Sequence, residues 1–157
     1  MNSRCNMRFL ILFLLCGCDV IYAGNGQLVN VHPVGNWPDS AVSDLEAACH
    51  VWDPLGANLR LDALNAPQTI PVHFEPIPSY IEGSGRASGV YVNQTGEIYI
   101  DPDFVADAIK QVAAHELGHA MGLPHLTESK PGLMQPVTDK YSVLSDNDRE
   151  LFHKYWN

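Results

Sequence analysis

Three imidazoles and one carboxylate fall within eleven residues, "HELGHAMGLPH" from His115 to His125. On a helix, residues four apart project from one face one turn apart, so His115 and His119 can both reach one tetrahedral metal ion. Gly122 can take the left-handed conformation that ends a helix and redirects the chain, which lets His125 arrive from beyond the helix as a third ligand. Three neutral imidazoles suit zinc and leave a fourth position open to water, as a catalytic zinc requires. Glu116 lies about 100° round the helix from His115, beside the metal rather than on it, where a carboxylate can take a proton from that water. The implied chemistry is hydrolysis by an acidified water, a general base and a carbonyl polarised by the metal. H-E-x-x-H-x-x-G-x-x-H arises by chance at roughly 10⁻⁸ to 10⁻⁷ per starting position. His32, His50, His73 and His153 lack ligand spacing to it and read as structural or solvent-facing.

The elements that must hold these residues can be read in outline. Asp101 is placed to cap a helix with Pro102 at its first position, and Ala106 to Met121 carries only Asp107, Lys110 and Glu116 as charges, so one helix buried on most sides is expected there. Upstream, "QLVNVH" from Gln27 alternates as a strand does, and Val42, Leu45, Cys49 and Trp52 recur at helical spacing within Ser40 to Asp53. Ala57 to Leu64 and Thr69 to Ile77 read as strands, the second irregular or partly at an edge because of Pro71 and Pro76. Pro78 to Ser88 reads as a loop, and "GVYVNQTGEIYID" gives a hairpin around "NQTG". A closing helix starts with Ser145 as N-cap and Asp148 three residues on. Strands first and helices last make the class α+β.

At 157 residues there is room for one domain. A formal net charge of -9 without any Lys/Arg run argues against nucleic acid as a partner. Arg4 and Arg8 precede the apolar run Phe9 to Cys16, as in a secretory signal. Two cleavage points compete: after Ala23, which makes residues 1–23 the signal and 24–157 the domain, or before Cys18 of "LCGC", which removes residues 1–17 and lipidates Cys18. The protein is thus expected to be exported, extracellular or periplasmic, as a monomer whose sole link to a membrane would be that lipid. Cys49 then has no disulfide partner and reads as a small core residue.

The long histidine motif resembles that of the metzincin zinc endopeptidases, in particular the matrixin-like branch in a compact bacterial form. "GLMQP" (Gly132 to Pro136) stands where that family has a methionine turn, "AVSDLEAACHVW" resembles its first helix and "VLSDNDRELFHKYW" its closing helix. The resemblance implies a metzincin-type fold, with a twisted mixed sheet of about five strands, three helices in the order β-α-β-β-β-β-α-α, and an edge strand above the cleft. It implies a secreted or lipid-anchored zinc endopeptidase acting on a peptide or protein, with His115, His119 and His125 on one catalytic Zn2+, Glu116 as general base, and Gly122 and Met134 as structural support. Substrate would pair with the edge strand, for which Gly89, Val90, Tyr91 and Val92 are the candidates, and Pro136 and Val137 would keep the course of the specificity-pocket wall. Thr138 stands where animal matrixins often have a tyrosine. The loop before Gly89 lacks the ligands of a second, structural zinc. Ca2+ is compatible with the fold, but no ligand set in the sequence supports it. No tyrosine stands two residues after Met134, so the fifth ligand of astacin-like relatives is not implied. The alternative from a different class is a zinc-stabilised peptide-binding module, or a catalytically silent pseudo-peptidase.

Overall fold

Apolar alternation builds the sheet. Val29 and Val31 of Leu28–Val34 (β1), Leu59 of Asn58–Leu61 (β2), and Ile70 and Val72 of Gln68–Phe74 (β3) are all buried. Gly89–Val92 (β4) and Glu97–Ile100 (β5) complete the sheet, with Ile98 and Ile100 adding to the same core. The computed structural model describes residues 26–81, 87–105, 107–138 and 141–156. The signal segment, both candidate cleavage points and Cys18 lie outside the described residues.

The strands lie in the order β2-β1-β3-β5-β4. Neighbours are parallel except β4 and β5, which form the expected hairpin: Gly96 at φ 74 and Thr95 both return their N–H groups to the Val92 carbonyl. Two local corrections have physical causes. β3 is an interior strand, not an edge, despite Pro71. β5 pairs only with Val72–Phe74, so Pro71 stands just before that ladder, while on the other side it lies opposite His32 of β1. β2 stops at Leu61 because Asp62 turns left-handed at φ 45.

Helices Asp39–His50 (α1), Pro102–Val105 (α2), Ile109–Ala120 (α3) and Asp146–Trp156 (α4) supply the other layer. α1 buries Ala41, Leu45, Ala48 and Cys49, followed by Trp52, so its core stripe runs through Ala41 rather than the half-buried Val42. Burial pushes the Cys49 thiol up to about 12, which leaves it inert packing. The one helix expected from Pro102 to Met121 is in fact broken into α2 and α3. An unbroken helix would send the Ala108 N–H to the Phe104 carbonyl. Here the Ser88 hydroxyl donates to that carbonyl (3.1 Å), and Ala108 bonds to Val105 instead (3.0 Å). Because the Asp101 N–H also bonds to the Ser88 carbonyl (2.9 Å), the short helix is tied to the start of β4 while α3 packs on α1 and the sheet.

α4 begins as the capping box requires. Asp148 N–H donates to Ser145 Oγ (3.2 Å), and the Asp148 carboxylate accepts from the Ser145 N–H (2.7 Å). Phe152 then stacks on Trp52, ring centroids 6.1 Å apart, and the Trp52 indole N–H donates to the Ala114 carbonyl (3.0 Å). α1, α3 and α4 are thereby locked around one aromatic pair immediately behind the histidine motif.

Candidate active site

The end of α3 is set by a single glycine. Gly122 sits at φ 86 and returns its N–H to the His119 carbonyl (2.8 Å), while Leu123 N–H reaches the Gly118 carbonyl (3.0 Å), the paired bonds of a Schellman ending. The reversed chain brings His125 Nε2 to 3.1 Å from His115 Nε2 and 3.0 Å from His119 Nε2.

The other ring nitrogens fix what those three atoms are. His115 Nδ1 lies 2.7 Å from the Leu133 carbonyl, and His119 Nδ1 lies 2.8 Å from the Leu123 carbonyl. A carbonyl only accepts, so both Nδ1 atoms carry the proton and both Nε2 atoms present bare lone pairs. Two such lone pairs converge on a third imidazole nitrogen. One proton on His125 serves them only as a bifurcated bond, whereas a divalent cation serves all three. Zn–N bonds of about 2.0–2.1 Å in tetrahedral array separate ligand nitrogens by roughly 3.3 Å, close to the spacing present, so the donor set fits zinc. Burial holds all three imidazoles below their ordinary value, His119 to about 4, which keeps them neutral as a ligand must be.

Glu116, buried beside them, points at β4. A Cβ built on Gly89 would lie 3.1 Å from Glu116 Cγ and 2.6 Å from Val112 Cγ1, so only glycine lets the carboxylate approach this closely. Desolvation pushes the Glu116 carboxyl up to about 8, opposed by a hydrogen bond from the Tyr91 backbone that favours the ionised form.

Met134 lies under the helix. It is fully buried, and a Cβ on Gly118 would come within 2.4 Å of its sulfur, so it packs against the turn between His115 and His119. Its carbonyl accepts from the Leu126 N–H (2.7 Å), one residue past His125.

A cleft of about 730 Å³ contains Gly89, Val90 and Tyr91 along one wall, with His115, Glu116, His119 and His125 opposite and Pro136 at the rim. Val92 does not line it. A second hollow of about 220 Å³ runs beside Glu116, bordered by Val112, Pro136, Val137 and Thr138, which places Val137 there rather than in the main cleft. Two contributors carried no readable signal. Tyr155 reaches the cleft from α4, and Asp148, noticed only as a helix cap, also accepts from the Leu133 and Met134 N–H groups (2.9 Å each).

Residues 67–156 match the family profile described as Matrixin. The chain belongs to the matrixin family. Among solved structures this matrixin is similar to myroilysin, with a TM-score of 0.58 and 14% identity over 84% of this chain and 80% of that one; a second myroilysin crystal structure gives 0.58, 15%, 84% and 84%. It is also similar to archaemetzincin from Methanopyrus kandleri, at a TM-score of 0.55 and 14% identity over 83% and 96% of the two chains. At these identities the likeness is one of fold, and the fold is the metzincin one. No curated protein matches. Family and histidine triad together identify a zinc metallopeptidase.

Proposed function

We propose that this chain is a zinc endopeptidase in which His115, His119 and His125 hold the metal and Glu116 is the general base. The observation that carries the reading is the placing of a buried carboxylate between three converged imidazole nitrogens and the outer strand of the sheet. Zinc at those nitrogens supplies Lewis-acid polarisation and makes water acidic. An extended peptide can add alongside β4, the outermost strand of the sheet, which borders the cleft through Gly89, Val90 and Tyr91. Glu116 takes the proton of the attacking water and delivers it to the departing amine, a role suited to a carboxyl whose affinity for protons burial has raised toward neutrality. The Tyr91 N–H steadies that carboxylate. Met134 and Gly122 act by position alone, one beneath α3 and the other at its turn.

The test is incubation of the purified chain with a proteome-derived peptide library, with and without chelator, and mapping of internal cuts by mass spectrometry. Glu116→Gln is expected to keep one zinc per chain and to lose cleavage by about 10²- to 10⁴-fold. Undiminished cleavage in that variant would remove Glu116 from the mechanism, and peptide capture without cutting would move the protein to the class of binding modules. Export, supported by Arg4, Arg8 and the apolar run after them, is part of the proposal. The mass of the native N-terminus distinguishes release after Ala23 from lipidation at Cys18.

A further inference from the structure

Thr138 lies beyond the methionine turn, 23 residues from His115 in sequence, and its hydroxyl oxygen is 2.8 Å from His115 Nδ1. The same oxygen is 3.3 Å from the Leu133 carbonyl, which is itself 2.7 Å from Nδ1. These three atoms form a closed triangle with two protons to share. A carbonyl only accepts, so the imidazole N–H is offered to both oxygens and the threonine O–H turns to the carbonyl. We propose that Thr138 is a positioning residue for the metal centre: its hydroxyl, with the Leu133 carbonyl, holds the proton of His115 on Nδ1 and fixes the ring so that Nε2 faces its two partner imidazoles. The proposal rests on the zinc reading given above.

The carbonyl alone fixes one direction, because the ring can still rock about a single hydrogen bond. A second oxygen on the other side of the N–H removes that freedom. Outer partners of ligating imidazoles typically contribute 10- to 100-fold in metal affinity. Since Leu133 stays in place when Thr138 is changed, the lower end of that range applies. Nothing about the hydroxyl's role follows from hydrophobic bulk: valine has the same shape and no O–H, whereas serine keeps the O–H and lacks the methyl group.

The experiment measures zinc dissociation constants for the full chain by competition with a chromogenic chelator, in wild type, Thr138→Val, Thr138→Ser and Thr138→Ala, with circular dichroism to confirm folding. Thr138→Val and Thr138→Ala are expected to bind zinc about 10-fold more weakly, and Thr138→Ser within about 3-fold of wild type. If Thr138→Val does not fold, the comparison of Ala with Ser decides the matter alone. Equal affinity in wild type and the hydroxyl-free variants overturns the proposal, as does a serine variant as weak as the others, which would assign the effect to the methyl group. A folded wild-type chain that takes up no zinc overturns the metal-centre reading itself, and the proposal falls with it.

Discussion

Replacing Asp148 by alanine is expected to damage the metal centre although this residue touches no ligand. Its side chain is fully buried, and its carboxylate accepts from Leu133 N–H (2.9 Å), Met134 N–H (2.9 Å), Ser145 N–H (2.7 Å) and Ser145 Oγ (2.7 Å). Alanine leaves the first two amides without partners inside the protein. Each orphaned buried donor costs about 1–3 kcal/mol, and losing the cap of α4 costs about 1 kcal/mol more. A loss on the order of 4 kcal/mol follows, a large share of a typical domain's 5–15 kcal/mol. Because the Leu133 carbonyl orients His115, zinc affinity is expected to fall about 10-fold or more as well. Urea denaturation with and without zinc reads the first quantity, and chelator competition the second. Ser145→Ala is the control: it removes cap bonds but leaves both turn amides paired, so it should cost about 1 kcal/mol and spare zinc affinity. Were Asp148→Ala to cost less than about 1 kcal/mol with zinc affinity unchanged, the carboxylate would be a helix cap and nothing more.

Other perturbations test other contacts. In the zinc-free chain burial raises the Glu116 carboxyl from 4.5 to about 8, so its contribution to stability is fully present below 4.5 and is lost as pH rises to 8. Glu116→Gln should therefore be the more stable zinc-free protein above pH 8, by an amount on the order of a few kcal/mol, and equal to wild type below 4.5; urea melts across that range would contradict this by showing a constant difference. His119 titrates in the opposite sense: its folded value near 4 against an ordinary 6.5 means stability is present above 6.5 and lost as pH falls toward 4, in both proteins alike. Gly118→Ala adds a methyl 2.4 Å from the Met134 sulfur and 3.0 Å from Trp52 Cζ2. Overpacking of about 1–3 kcal/mol outweighs the roughly 1 kcal/mol that alanine gains over glycine in a helix, so thermal unfolding should show net destabilisation; a stabilised variant would mean that Met134 yields freely. Tyr155→Ala should lower kcat/KM by up to about 10-fold for peptides that place an apolar side chain at the α4 end of the cleft, with Tyr155→Phe near wild type; library profiles identical in all three would remove Tyr155 from substrate contact.

Much of the fold was legible because local pattern determines it. Alternation located all five strands, and glycine chemistry located the turn at Gly122 and the hairpin at Gly96. Spacing alone brought His115 and His119 together, and the left-handed turn brought His125 to them. What stayed hidden depends on bonds between residues distant in sequence that end on backbone atoms. Ala108 has no aversion to helix, and it is the Ser88 hydroxyl, twenty positions earlier, that takes its acceptor away. Pro71 looked like a marker of an edge because sequence does not say that β5 pairs only from Val72 onward. Asp148 showed its bond to Ser145, three residues away, and concealed the two to Leu133 and Met134.

These hidden contacts meet at the methionine turn, and there main-chain atoms do as much as the side chain that gives the turn its name. The Leu133 carbonyl orients His115, the Met134 carbonyl holds Leu126 beside His125, and both amides are anchored by Asp148. The Met134 side chain fills the space that Gly118 leaves between the two helical ligands. Since carbonyl and amide positions survive a conservative exchange of the side chain, Met134→Leu should cost less than about 1.5 kcal/mol, whereas cutting the turn from α4 at Asp148 disturbs His115 and His125 together. The rigidity of the centre thus comes from α4 through the backbone of the turn, which is why a closing helix remote from the histidine motif in sequence belongs to the same functional unit.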